Sequence, residues 1–361
     1  MNNIGQGRPL SFDFVLEALT RSIPAEQIES VLVQVQGKRR RRNRKILLHG
    51  VVWLVVGLGV FADMDVSSIW RQEAGTLKTL WNSLEGIKPP VKSALSKARE
   101  RLGARAMRLL YKLTATTAAK VDGPRSPQLS QQGYPELGGA FYKGKRLIGM
   151  DGQKLTVPDT PANAKAFGRC QTRRGSEKVA AGYPQVLLMR LVELGTHLNL
   201  EALIKPACHS EQKVARFLLE KTPVGSLLLW DGGFYSYKLL KQAIERGIPA
   251  KELIQLYHMR WEFEIANDEL ATHQLARPVD LRSLKPAGVV QELYGVLLAH
   301  NAVRRAMCES AERLNIDPRT LSFTHALRVI KETIPVMRAA KHNIAKREFI
   351  SFPYLSSPQN P

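Results

Sequence analysis

The chain has 361 residues, 44% hydrophobic and 24% charged, an ordinary globular balance with apolar side chains enough for a core. That balance excludes disorder throughout, a collagen-like repeat and a small disulfide scaffold. Lys and Arg number 53 against 32 Asp and Glu, a net charge of +21, which favours a polyanionic partner: nucleic acid first, an anionic membrane surface second.

Cys170, Cys208 and Cys308 form no C-x-x-C pair, so neither a structural zinc site nor a disulfide framework is predicted. The opening MNNIGQGRPLSFDF has no basic segment followed by an apolar run. No secretion signal is expected, and a reducing, cytoplasmic setting is the default reading.

Residues 1–120 hold +11 of the +21. Seven of the eight residues 38–45 (KRRRRNRK) are basic, and Arg39, Arg40, Arg41 and Arg42 are candidate phosphate contacts. The simpler reading of that run is a solvated loop. Residues 46–62, ILLHGVVWLVVGLGVFA, contain His49 as their only ionisable side chain. Beside arginines such a run can be read as a membrane span. Its 17 residues are the short end of what spans a bilayer, and three glycines weaken it further. A buried helix of a DNA-binding domain is expected instead. A short helix over MDVSSIWRQE follows, then a second over residues 92–105 that carries Lys92, Lys97 and Arg99, with Gly103 near its end. The pair fits a helix-turn-helix-like module, with Lys92, Lys97 and Arg99 as candidate DNA contacts.

Residues 121–140 are rich in Pro, Gly, Ser and Gln and read as a linker. Beyond them the period changes. Strands are predicted over 146–150, 186–192, 198–204 and 226–230, and helices over 236–246, 251–271 and most of 288–337. The fold class is mixed α/β: a helical basic domain over 1–120, a sheet domain flanked by helices over 141–310, and a helical region and tail over 311–361. No G-x-G-x-x-G or Walker-type loop supports nucleotide-driven chemistry.

Asp151 and Asp231 each follow a predicted strand and precede glycine. That is a natural metal position, although Asp-Gly is also a common turn. Tyr257, Arg260 and Glu264 fall on one helical face at about 100° per residue, with position 271 on the same stripe. The face can supply a third carboxylate beside a phosphate-gripping arginine, or it can be a solvated side with an Arg–Glu pair. Trp261 is read as a core residue before a stacking surface for DNA.

IGMDGQKLTVPDTPANAKAFG, LLLWDGGFYSYKLL, YHMRWEFEIANDEL and LRSLKPAGVVQELYGVLLAHNAVR, in that order, resemble the DDE transposases of the insertion-sequence 4 type. RRRRNRK and SALSKARERLG resemble that family's N-terminal region. The resemblance implies an RNase H-like core with Asp151, Asp231 and Glu264 as catalytic metal ligands for Mg²⁺, or Mn²⁺ in its place. Tyr257 and Arg260 would contact DNA. It also implies nicking at the ends of an insertion sequence by water, attack of the freed 3′-hydroxyl on target DNA, and a homodimer on DNA in a cytoplasmic, nucleoid-associated setting without a membrane.

Three departures stand out. The family's Y-x2-R-x3-E-x6-K pattern ends in Ala271 here, and Gly232 replaces an expected arginine. Only 33 residues separate Asp231 from Glu264, where the family places a further strand and a long β-rich insertion. A folded, DNA-binding chain with weak excision is therefore expected. The alternative is a catalytically inactive remnant that occupies element ends.

Overall fold

The computed structural model describes residues 20–36, 46–71, 90–120, 123, 139–169, 171–174, 177–180, 182–230, 259–275 and 280–340. The basic run 38–45, the linker 124–138 and residues 231–258 lie outside them. Arg39 to Arg42, Asp231, Tyr257 and the helix predicted over 236–246 therefore lie outside the described residues.

The first half of the described chain is helical: α1 (Ala25–Gln36), α2 (Leu48–Val60) and α3 (Lys92–Thr114). The apolar run becomes α2, a helix buried on nearly every side. Its partner is α7 (Pro286–Leu314), and small residues bring the two together. A Cβ on Gly295 would stand 2.3 Å from the Val55 carbonyl oxygen, and one on Gly59 would stand 2.8 Å from Val296 Cα. Gly59, one of the glycines that weakened the run as a membrane segment, thus permits close packing on the α7 backbone. Among the described residues no helix is long and apolar enough to cross a membrane. Arg282 donates to the Met64 carbonyl at 2.7 Å and the Leu58 carbonyl at 3.2 Å, which satisfies acceptors at the end of α2.

α3 buries Leu95, Ala98 and Leu102, then Ala106, Met107, Leu110 and Tyr111, at helical spacing. The break expected near Gly103 occurs there, at φ 71° and ψ 164°, a conformation glycine adopts without Cβ strain. The chain then resumes its helix for another eleven residues, beyond the predicted end at 105.

The sheet is built from β1 (Phe141–Tyr142), β2 (Lys145–Thr156), β5 (Gln185–Glu193), β6 (Leu198–Pro206) and β7 (Ser226–Trp230). β2 pairs antiparallel with β1 and β5, β5 pairs antiparallel with β6, and β7 pairs parallel with β2. All four predicted strands are present. A helix α4 (Pro161–Phe167) and a separate hairpin, β3 (Gln171–Arg174) with β4 (Glu177–Ala180), interrupt the path from β2 to β5.

Alternation along β2 assigns its two faces. Ile148 and Met150 join Leu187, Met189 and Leu191 against α5 (Glu211–Leu219). Leu147 joins Val192 and Leu194 against Phe263 and Ala266 of α6 (Trp261–Asp268), and Leu155 joins Val186 and Leu188 against the core shared with α7. Covered on both faces, β5 is buried at every position after Gln185, and it is apolar from Val186 to Met189 and at Leu191 and Val192. The same core continues through α7 into α1, α2 and α3, so the helical and sheet regions share apolar packing. α8 (Phe323–Ala340) closes the described chain.

Candidate active site

The carboxylate Asp151 lies in the middle of β2, not at a strand end as expected, because β2 runs on to Thr156 in register with β5. Odd positions of β2 face α6. Gly149, two residues before Asp151, makes room for the helix: a Cβ there would stand 2.5 Å from Phe263 Cδ2. Gln153, two residues after, reaches the Asn267 carbonyl at 3.5 Å. Asp151 therefore stands between the two positions at which β2 meets α6. Glu264 stands between Phe263 and Asn267 on that helix. Asp151 and Glu264 thus lie on a strand and a helix that pack against each other.

Glu264 accepts from Arg260 Nη1 at 2.7 Å. The single helix predicted over 251–271 is interrupted by a turn at residues 259–260, after which α6 starts at Trp261. It also changes character. From Glu269 to Leu275 the turns widen into a π-helix, so the α-helical spacing that put Ala271 on the Arg260–Glu264 stripe does not hold across it. Trp261 is 65% exposed and is no core residue. β7 ends in register with β2, Trp230 opposite Met150, and Asp231 is the next residue of the chain.

Of the predicted DNA contacts on α3, Lys92 and Lys97 are exposed. Arg99 is a correction. Its guanidinium donates to Gln291 Oε1 at 3.0 Å, Ser283 Oγ at 2.9 Å and the Gly288 carbonyl at 3.4 Å, and burial lowers its pKa. It ties α3 to the start of α7 and is not presented to a phosphate.

Opposite Glu264, the helix is held by a polar cluster that the sequence reading missed. Glu262 and Glu269 are seven residues apart and face inward together. His197, in the turn between β5 and β6, has Nε2 2.9 Å from Glu262 Oε2, while Arg304 of α7 approaches its Nδ1. Nδ1 also lies 3.1 Å from Glu269 Oε1, so both ring nitrogens face a carboxylate. Arg304 Nε also donates to Glu269 Oε2 at 2.8 Å, and Arg319 Nη1 lies 3.5 Å from Glu262 Oε1. His300 Nε2 is 3.3 Å from Glu269 Oε2.

Burial first, and then Arg304, push the His197 pKa from 6.5 to about 4; burial takes that of His300 well below its usual value. Both rings stay neutral in the folded chain and gain protons on unfolding. Between about pH 4 and 6.5 the unfolded state therefore binds more protons, and stability rises with pH. Acidification from pH 7 to 5 is expected to cost about 2 kcal/mol at His197, with His300 acting in the same direction. Urea unfolding across that range measures it, and His197→Asn should make the dependence shallower.

The structure thus defines a mixed α/β protein in which the Asp151 strand packs on the Glu264 helix and a helical region shares the core. Residues 14–112 match the family described as insertion element 4 transposase N-terminal. The chain is 27% identical over 373 residues to the transposase InsG for insertion sequence element IS4 of Escherichia coli (strain K12), covering 83% of this chain and 78% of that one. It is 26% identical over 225 residues to the putative transposase InsZ of the same organism, covering 62% and 66%. No solved structure matches. Residues 14–112 thus resemble the N-terminal region of insertion element 4 transposases, and most of the chain is similar to one such transposase.

Proposed function

We propose that this chain is a metal-dependent transposase that cuts and joins DNA at the ends of an insertion sequence, with Asp151, Asp231 and Glu264 as its catalytic carboxylates. The observation that carries the reading is the meeting of the Asp151 strand with the Glu264 helix through Gly149–Phe263 and Gln153–Asn267. The sheet supports it: β2 is antiparallel to β5 and parallel to β7, the order of an RNase H-like core. Asp231 would then enter the site from the end of β7.

The donor set suits a hard cation, since both described groups offer carboxylate oxygen from separate elements. Mg²⁺, or Mn²⁺ in its place, would be held by Asp151, Asp231 and Glu264. When bound, it would activate the attacking oxygen and stabilise charge on the leaving one. Arg260 holds Glu264 and stands ready as a fork for DNA phosphate, with Tyr257 as a neutral donor. Exposed Trp261 offers an aromatic face to an unpaired base. Lys92, Lys97 and Arg39 to Arg42 would hold the flanking duplex by charge, and two copies would bring the two ends together, near the nucleoid.

The experiment is strand cleavage on DNA carrying the element's own ends. Nicks that need Mg²⁺ or Mn²⁺ and vanish with a chelator are the expected result; intact DNA with either ion would refute the enzyme. The 33-residue interval between Asp231 and Glu264 favours a second reading, an end-binding chain without cleavage. Salt-sensitive binding to the ends with no nicks selects it.

A further inference from the structure

β5 carries an arginine where both faces of the sheet are covered. Arg190 is fully buried, a costly place for a guanidinium, and while both terminal nitrogens are bonded, its Nε has no hydrogen-bond partner among the described residues. It pairs with Asp151 across the β2–β5 ladder, on the face that carries α6. Nη1 donates to Asn199 Oδ1 at 2.7 Å, and Nη2 donates to Asn267 Oδ1 of α6. The guanidinium carbon lies 5.5 Å from the Phe263 ring centroid. Asn199 is fixed to α7 in turn: Asn301 Nδ2 donates to its carbonyl at 2.8 Å, and His300 Nδ1 is 2.9 Å from its Nδ2.

This places one planar fork between three elements. Phe263 and Asn267 bracket Glu264 on the helix, and Arg190 touches both while standing opposite Asp151. A lysine would keep the charge but could not hold Asn199 and Asn267 together with the geometry of a guanidinium. We propose that Arg190 is a positioning residue, which fixes α6 on the sheet so that Glu264 and Asp151 face the same metal ion. The proposal rests on the reading of those carboxylates as metal ligands. Arg190 acts through Asn267 and Phe263 and is not itself catalytic.

Binding of Mn²⁺ to the full chain, read by electron paramagnetic resonance, tests this without relying on turnover. Outer-shell partners of metal ligands typically change affinity by about 10- to 100-fold. Arg190→Lys and Asn267→Ala should each raise the Mn²⁺ dissociation constant within that range, and the double variant should lose little more than either, since both break one bridge. Single-turnover cleavage should fall in parallel while affinity for end DNA holds. Wild-type Mn²⁺ affinity in both variants, with Asp151→Asn alone losing the ion, would overturn the proposal. So would lowered thermal stability with Mn²⁺ affinity kept. Absence of Asp151-dependent Mn²⁺ binding in the wild-type chain would instead remove the metal reading, and this proposal with it. If Arg190→Lys fails to fold, Asn267→Ala carries the test, because that side chain is only half-buried.

Discussion

Asp151→Asn is expected to lower the rate of strand cleavage by about 10³-fold or more, with folding and DNA binding intact. Cation stabilisation of a phosphoryl transition state is worth several kcal/mol, and each 1.4 kcal/mol is about a factor of ten. Asparagine matches aspartate in shape, and its Oδ1 can still accept from the Gly152 N–H, a bond of 2.7 Å here. The fold should therefore persist. Removing a negative charge beside a phosphate path should leave DNA binding equal or slightly tighter. Glu264→Gln should lose cleavage similarly while loosening Arg260. Glu211 on α5 is the useful control: it approaches Gly152 from the other face of the sheet, and Glu211→Gln should leave cleavage unchanged. Single-turnover rates on nicked and intact ends measure all three.

Arg304→Met is expected to destabilise the chain by about 3–5 kcal/mol, the usual result of stripping one partner from a buried ion pair. Glu269 is only 4% exposed and takes two contacts from this guanidinium. Without it a carboxylate stays buried beside His197 and His300, and burial, the first cause of both lowered pKa values, still opposes the charge either ring would have to supply. The arginine also lies 5.7 Å from the Phe323 ring centroid and helps seat α8. Adding Glu269→Gln to Arg304→Met should recover part of the loss, because the stranded charge is gone. Urea unfolding of the two single variants and the double variant checks it.

The apolar and periodic features were legible in the sequence. Alternation and short β-rich runs gave the four main strands, and glycine punctuation gave the break at Gly103. The length of residues 46–62 gave a buried helix, whose actual partner, α7, no local pattern names. Polar side chains were harder. Arg99 reads as one cation among several on a basic helix; only the fold reveals that Ser283 and Gln291, far away in sequence, claim it. Glu262, Glu269, Arg304 and His197 look like ordinary surface charges until β5, β6, α6 and α7 are assembled around them. Asp151 was read at a strand end because the apolar run stops there, yet backbone pairing with β5 carries β2 five residues further. The π-helical segment has no periodic signature, so α-helical spacing does not give the place of Ala271.

The convergence of Asp151, Asp231 and Glu264 on one cation is tested most directly by replacing Mg²⁺ with Fe²⁺. With ascorbate and peroxide, the bound iron generates radicals that cut the polypeptide close to its ligands. Cuts clustered around residues 151, 231 and 264, and suppressed by excess Mg²⁺, are the expected result. Cuts elsewhere, or at 151 and 264 with none near 231, would contradict a shared three-carboxylate centre.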